Sequence, residues 1–248
     1  MLGREYLEKL AKKTDMGLYQ QEKDYLLKLF LFYYYKRFSD AVFKGGTCIK
    51  YLYGIDRFSE DLDFNITISP EEFLEQAKQA MDQMKMTGIE NGFIKKEIFA
   101  DSFACEIFFH GPLFRGISQT RNKIRIDAGK RTKVILKPEW QTIYSEYPET
   151  GENFMILTMN RKEMLAEKII AAMSRKKGRD LYDVWFLLKT GIAVDKKLLQ
   201  RKAQSAKTTI NMNNLLSKND YERDMKRVSR NIVPYEQVRE EVKEAIGF

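Results

Sequence analysis

The sequence predicts an α/β (α+β) protein in which a mixed β-sheet with flanking helices is followed by a helical C-terminal region. Two observations carry this prediction. Between residues 61 and 136 several segments alternate apolar and polar residues, and short breaks containing Gly, Pro or Asp separate them. From Asn160 onward, apolar residues recur instead at helical spacing. We therefore predict two domains, 1–155 and 156–248.

The N-terminal elements follow from the same patterns. Residues 4–14 and 20–37 are predicted helices, and the second is rich in Leu, Phe and Tyr, as is typical of a buried helix. A short strand then ends in Gly45-Gly46, and a short helix is closed by Gly54. The predicted strands have the sequences DLDFNITI, FIKKEIFA, SFACEIFFH, NKIRIDAG and TKVIL, with a helix beginning at Pro70 between the first two.

Composition limits the function. The chain has 248 residues, 44% of them hydrophobic, and a net charge of +8, which favours a polyanionic partner, with nucleic acid foremost. Its two cysteines lack metal-binding or disulfide-rich spacing, which fits a reducing cytoplasm. The charged N-terminus resembles no signal peptide, and the most apolar stretch, YLLKLFLFYYY, is too short to cross a bilayer. We expect a cytoplasmic protein without a membrane contact.

Two carboxylates, Asp61 and Asp63, occupy alternate positions of one predicted strand and therefore project from the same face. Their mutual repulsion would be relieved by a divalent cation between them. Carboxylate oxygens without Cys or His suit Mg²⁺ or Mn²⁺ better than zinc, and Mg²⁺ usually shares its coordination with substrate phosphates. An isolated Asp-x-Asp is more often merely solvated, so the pair alone is a weak signal.

A Gly-Gly-Thr sequence precedes this strand. Gly45 and Gly46 would let backbone N–H groups approach a phosphate, and Thr47 begins a helix whose N-terminus favours anions. A Gly-Gly pair alone is usually a simple turn. A buried strand, Gly-Gly-Thr, a helix and an acidic alternating strand, in this order, together indicate phosphoryl or nucleotidyl transfer.

The stretch FKGGTCIKYLYGIDRFSEDLDF resembles the nucleotidyltransferases of the DNA polymerase β-like superfamily, and more closely the AbiEii toxin family, which includes the MenT toxins. Arg57, Ser59, Asp61, Leu62 and Asp63 match the family's R-x-S-x-D-L-D strand. A second match lies in the C-terminal half, where AEK at 166–168 is followed by GRDLYD at 178–183. The resemblance covers roughly residues 40–190, and Cys48 stands where the family usually has a small residue.

The resemblance implies roles for individual residues. Asp61 and Asp63 would bind the metal, and Gly45, Gly46 and Thr47 would bind the triphosphate with help from Arg57 and Ser59. The superfamily's third carboxylate would be Asp127, which would also be the base that accepts the acceptor proton; Glu106 is the alternative. Asp127 could instead be an ordinary turn residue before Gly129.

The C-terminal match implies further site residues. Lys168 would contact the nucleotide phosphates, although a lysine at the edge of an apolar face could also extend to solvent. Asp180 would combine a catalytic role with capping of the helix that it begins, and Asp183 lies on the same helical face. Arg175 belongs to a basic cluster with Lys176, Lys177 and Arg179, which would bind triphosphate or RNA or be a solvated loop.

The implied function is that of a toxin in a type IV, abortive-infection toxin–antitoxin system. It would transfer NMP from an NTP to an acceptor hydroxyl, with RNA and in particular tRNA as the expected acceptor, and release pyrophosphate. A cognate antitoxin is the expected partner. Two alternatives stay open: the same chemistry on a small molecule or protein, and a nucleotide-binding module without catalysis. The residues identify neither the NTP nor the oligomeric state.

Overall fold

A computed structural model of the chain describes residues 1–130, 133–211 and 215–247. The chain forms two compact units that alternate along the sequence. Unit 1 consists of Met1–Phe43, Glu60–Lys130 and Trp140–Thr158. Unit 2 consists of Lys44–Ser59, Arg131–Glu139 and Met159–Phe248. The division of the chain into domains at residue 155 stays a prediction.

Unit 1 is built around a mixed β-sheet, which confirms the predicted fold class. Within the described residues the sheet has seven strands: β1 (Ala41–Lys44), β2 (Asp61–Ile66), β3 (Asn91–Phe99), β4 (Ser102–Phe109), β5 (Asn122–Gly129), β6 (Glu139–Tyr144) and β7 (Asn153–Thr158). Their order across the sheet is β3-β4-β5-β2-β1-β7-β6. The pairs β1–β7 and β2–β5 are parallel, whereas β3–β4 and β4–β5 are antiparallel.

One face of this sheet forms the core of unit 1. The helices of this unit are α1 (Arg4–Thr14), α2 (Leu18–Tyr35) and α4 (Pro70–Met86), and both α2 and α4 pack against strands. Every second residue over much of β2 and β5 is apolar and buried, and the residues between them are mostly less buried. The buried residues are Leu62, Phe64, Ile124 and Ile126. Because successive side chains of a strand point to opposite faces, the polar residues between them share the other face.

The helix predicted to begin at Pro70 does begin there. The Ser69 hydroxyl accepts a hydrogen bond from the Glu72 N–H, and the Glu72 carboxylate accepts one from the Ser69 N–H, so the two residues form a capping box around the proline. The apolar α2 is a buried helix, as predicted. No helix within the described ranges is both long and apolar enough to cross a membrane. Cys48 and Cys105 are buried and form no disulfide.

The strand predicted over TKVIL is wrong for the residues described there, since 133–136 form no regular element. The backbone N–H groups of Ile135 and Leu136 donate instead to the two carboxylate oxygens of Glu163, each at 2.8 Å. A side chain therefore satisfies the donors that a neighbouring strand would otherwise accept. Strands β6 and β7 were not predicted from the sequence.

Unit 2 is mainly helical. Its helices are α3 (Gly45–Tyr53), α5 (Arg161–Ser174), α6 (Gly178–Lys189), α7 (Lys196–Ser205), α8 (Lys218–Met225) and α9 (Tyr235–Ile246). The long helix α5 packs against α6 and α7, and α6 packs against α8 and α9. Asn160 caps α5, because its side chain accepts a hydrogen bond from the Lys162 N–H at 3.0 Å.

Candidate active site

Three acidic residues of unit 1 share one face of the sheet. In the parallel pair formed by β2 and β5, Asp63 is the register partner of Asp127 and Asp61 is that of Arg125. Register partners project to the same side, as do residues two apart in one strand. Asp61, Asp63 and Asp127 therefore lie on the face opposite the buried Leu62 and Ile126, and all three are half-buried.

The register also separates the two candidates for a third carboxylate. Glu106 lies on β4 and is paired with Arg125, so the whole of β5 stands between it and β2. Two strand spacings amount to about 10 Å, compared with about 5 Å between neighbouring strands. Lys123 Nζ lies 3.8 Å from Glu106. The sheet thus places Asp127, rather than Glu106, directly beside Asp63.

These oxygen donors suit a hard divalent cation that also binds substrate. Within the described ranges, no three His, Cys, Asp or Glu side chains are arranged so that they could hold a metal ion. Magnesium sites in nucleotide enzymes commonly use only one or two carboxylates and complete the coordination with phosphate oxygens and water. Asp61 and Asp63 are a donor pair of that kind, and the metal would supply charge neutralisation at the phosphates.

The Gly-Gly-Thr sequence forms the first turn of α3 in unit 2. Strand β1 leads into this helix without a loop, and Gly45 has φ +79°, a conformation that favours glycine. A Cβ atom on Gly46 would lie 2.5 Å from Arg57 Nη2 and 2.8 Å from Ser59 Oγ. Thr47 Oγ1 donates to Ser59 Oγ at 3.0 Å. Both glycines are therefore required, one for its backbone conformation and one for the close approach of Arg57.

Unit 2 contains a buried ion network formed by Arg57, Lys168, Asp180 and Asp183. Arg57 donates two hydrogen bonds to the Asp183 carboxylate, from Nε at 2.5 Å and from Nη2 at 2.6 Å. Lys168 Nζ lies 2.7 Å from Asp183 and 3.0 Å from Asp180. All four residues are buried, so the charges interact with little screening by solvent.

The network keeps Lys168 and Asp180 ionised. Burial alone would lower the pKa of Lys168, but Asp183 and Asp180 outweigh burial and raise the pKa above its ordinary value. Burial would raise the pKa of Asp180, whereas the positive charges of Lys168 and Arg175 lower it. Arg175 is exposed and donates to Asp180 Oδ1 at 3.1 Å. The site therefore offers fixed positive charges at neutral pH.

The structure corrects the capping role expected of Asp180. The carboxylate of Asp180 binds Lys168 and Arg175. The N-cap residue of α6 is Lys177, and its side chain makes no capping hydrogen bond. The Gly178 N–H at the start of α6 donates instead to Asp224 Oδ2 at 3.0 Å. Asp224 of α8, and not Asp180, therefore accepts a hydrogen bond from the N-terminus of α6.

A second ion network, which was not predicted, adjoins the Gly-Gly-Thr turn and consists of the buried Lys202 and Glu163 and the half-buried Lys44 and Glu167. Lys44, the residue before Gly45, lies 3.0 Å from Glu167. Lys202 of α7 donates to Glu163 at 2.9 Å and to Glu167 at 2.7 Å, and its side chain is fully buried. The pKa of Glu167 would be raised by burial, but Lys44 and Lys202 lower it to about 2. The only sequence signal was the one-turn spacing of Glu163 and Glu167 on α5.

A cavity of about 490 Å³ in unit 2 is lined by other residues. They are Lys176, Leu215, Leu216, Ser217, Asp220, Tyr235 and Arg239. Lys176 comes from the basic cluster predicted to bind triphosphate or RNA, but none of the residues predicted to bind the metal is among them, nor are Gly45, Gly46, Thr47, Arg57 or Lys168. The chemistry is therefore better located by the charged networks than by this cavity.

Comparison with known proteins confirms the resemblance to the AbiEii family. The model of the family described as "Nucleotidyl transferase AbiEii toxin, Type IV TA system" matches residues 30–246. No curated protein gives a match. Two solved structures are similar in fold: MenT4, a nucleotidyltransferase toxin from Mycobacterium tuberculosis H37Rv, and JHP933 from Helicobacter pylori.

The two similarities extend over most of each chain. MenT4 has a TM-score of 0.74 and 18% identity, over 100% of this chain and 89% of MenT4. JHP933 has a TM-score of 0.62 and 20% identity, over 92% of this chain and 90% of JHP933. At these identities the two structures support the fold, whereas the family model covers most of the sequence. The chain belongs to the AbiEii family of nucleotidyltransferase toxins.

Proposed function

We propose that the protein transfers NMP from an NTP to a hydroxyl of RNA, with tRNA as the foremost acceptor, and releases pyrophosphate. Family membership implies a nucleotidyltransferase with an NTP substrate and, in a type IV system, a cognate antitoxin. The observation that carries the catalytic proposal is the β2–β5 register, which sets Asp127 beside Asp63 with Asp61 on the same face.

We assign Asp61 and Asp63 to metal binding and Asp127 to proton acceptance from the attacking hydroxyl. Mg²⁺ is the metal that their oxygen chemistry favours, with Mn²⁺ as a substitute. As general base, Asp127 would accept the acceptor's proton while the new bond to the α-phosphorus forms and the bond to pyrophosphate breaks.

We assign the unit 2 residues to the nucleotide. The α3 N-terminus at Gly45, Gly46 and Thr47 would bind phosphate oxygens through backbone N–H groups, with Ser59 adjacent to Thr47. Lys168 would provide positive charge to the phosphates, and Asp180 and Asp183 would hold it in place. Arg57 is bound to Asp183 and Arg175 to Asp180, and both arginines would add to that positive charge.

The experiment measures transfer from each α-labelled NTP to total cellular RNA in the presence of Mg²⁺, with chelator as the metal control. Asp61→Ala, Asp63→Ala and Asp127→Ala should each abolish labelling while the protein stays folded. Glu106→Ala is the matched control, a carboxylate on the same sheet face one strand further away, and should retain activity. Loss of activity in Glu106→Ala with full activity in Asp127→Ala would reverse the assignment.

The acceptor is tested in the same reactions. Label in RNA supports the proposal, whereas label in a small molecule or in protein would replace RNA by that acceptor. Binding of NTP without any label would indicate a non-catalytic module. Co-expression with the gene product encoded beside the toxin tests the antitoxin, because relief of growth arrest is expected only with an active toxin.

A further inference from the structure

The positive charge of the chain is concentrated in unit 2. The sequence of unit 2 has 26 Lys and Arg against 14 Asp and Glu, a net charge of +12. Unit 1 has 17 against 21, a net charge of −4. The net charge of +8 for the whole chain is therefore the sum of two units whose net charges have opposite sign. A polyanion would be attracted to unit 2.

Four exposed cations of unit 2 lie at one junction of its helices. Lys176 and Lys177 form the loop between α5 and α6, and Lys226 and Arg227 directly follow α8. We call these four residues the basic surface. Among the described residues none of the four makes a salt bridge, unlike the neighbouring Arg175, which is bound to Asp180. Their charges remain available to a ligand.

The two segments of the basic surface meet where α6 begins. The Gly178 N–H donates to Asp224 in the last turn of α8, and a Cβ atom on Gly178 would lie 2.9 Å from the Tyr221 carbonyl oxygen. The first residue of α6 therefore lies against the end of α8. Lys177 immediately precedes that contact, and Lys226 lies two residues beyond it.

The basic surface continues to the buried Arg57 network. The Phe58 N–H donates to the Val228 carbonyl at 2.6 Å, and Ser229 Oγ donates to the Asp56 carbonyl at 3.1 Å. Residues 226–229 thus run alongside residues 56–58. A ligand bound to the basic surface would lie next to the residues to which nucleotide binding is assigned.

Lys176 has an unusual backbone conformation. Its φ is +49°, in the left-handed region that glycine and asparagine adopt more readily. Such a conformation is strained for a residue with a Cβ atom. A lysine at this position places a positive charge at the tip of the loop at the expense of stability, which favours a binding role over a purely structural one.

We propose that the basic surface binds the phosphate backbone of the RNA acceptor and guides the acceptor end toward the nucleotide. This inference rests on the proposed function. The two segments, residues 174–177 and 226–231, contain one apolar residue, Val228, whereas stable protein interfaces have an apolar centre. The charge complementarity therefore fits a nucleic-acid backbone better than a protein partner.

The test compares two variants with equal charge removal. The first replaces Lys176, Lys177, Lys226 and Arg227 with Gln. The matched control replaces Lys196, Lys197, Arg201 and Lys207 with Gln, which are also exposed residues of unit 2 and also three lysines and one arginine. RNA affinity is measured over a series of salt concentrations for the wild type and both variants, with thermal unfolding as the check of folding.

The basic-surface variant should bind RNA at least about tenfold more weakly than the control at 0.1 M salt, and the slope of log K against log[salt] should fall by about 3. An equal loss of RNA affinity in both variants would contradict the role of the basic surface, but RNA would remain the proposed acceptor. Displacement of RNA by polyglutamate at equal charge concentration would replace RNA by an acidic protein partner. If the wild type neither binds nor labels RNA, the proposed acceptor itself is wrong.

Discussion

Replacement of Lys202 by Met should destabilise unit 2 strongly. The Lys202 ammonium is fully buried and binds Glu163, Glu167 and the Lys133 carbonyl, at 2.9, 2.7 and 3.0 Å. Methionine fills a similar volume but leaves the buried Glu163 and the half-buried Glu167 without this cation. Removal of one partner from a buried ion pair typically costs about 3–5 kcal/mol of unfolding free energy. For a chain of this size that loss corresponds to a fall of roughly 6–20 °C in Tm.

The assay is urea and thermal unfolding of the wild type, Lys202→Met and a control, Lys197→Met, which changes an exposed lysine on the same helix. The control should stay within about 0.5 kcal/mol of the wild type. Addition of Glu167→Gln to Lys202→Met should recover part of the loss, because one of the two carboxylate charges that Lys202 balanced is then removed. A loss below about 1 kcal/mol in Lys202→Met would refute the reasoning that this network holds unit 2 together.

Two further predictions concern the Gly-Gly-Thr turn and its support. Gly46→Ala should weaken NTP binding at least about tenfold and destabilise the protein by about 1–3 kcal/mol, because the added methyl group would clash with the Arg57 side chain that binds Asp183. Calorimetric titration measures the binding, and urea unfolding measures the stability. The control Gly3→Ala should change neither, because the space around its Cβ position is open. The Glu167 pKa is lower in the folded protein than in the unfolded chain, so its stabilisation is complete above about pH 4.5 and is lost as the pH falls toward 2. Urea unfolding between pH 6 and 3 should therefore show a shallower loss of stability in Glu167→Gln than in the wild type, and parallel curves would contradict the assignment of this ion pair.

Local patterns sufficed for much of unit 1. The alternation of buried and half-buried residues along β2 is visible in the sequence DLDFNI, and Ser69-Pro70 marks the start of α4. Strand β7 was missed because Met155 and Leu157 are apolar although they occupy its less buried positions, so its sequence NFMILT shows no apolar–polar alternation. Strand β6 is short and most of its residues are exposed or half-buried. The strand predicted over TKVIL was wrong for a different reason, because Glu163, which is distant in sequence, accepts hydrogen bonds from the backbone N–H groups of Ile135 and Leu136.

The ion networks show what local patterns cannot provide. Asp183 and Lys168 were identified through the family pattern, yet their mutual contact and the bidentate bond from Arg57 depend on how α3, α5 and α6 pack. Lys202 gave no signal, because a lysine in an amphipathic helix is usually exposed and only the fold shows that this one is buried. The choice between Asp127 and Glu106 similarly required the strand order.

The measurement that tests the central claim most directly is incorporation of α-labelled NMP into RNA by the wild type and Asp63→Ala, each with Mg²⁺ and with chelator. We expect label only with the wild type and Mg²⁺, and we expect circular dichroism to show that Asp63→Ala remains folded. Undiminished labelling by the folded Asp63→Ala variant, or by the wild type in chelator, would contradict metal-dependent transfer at this sheet face.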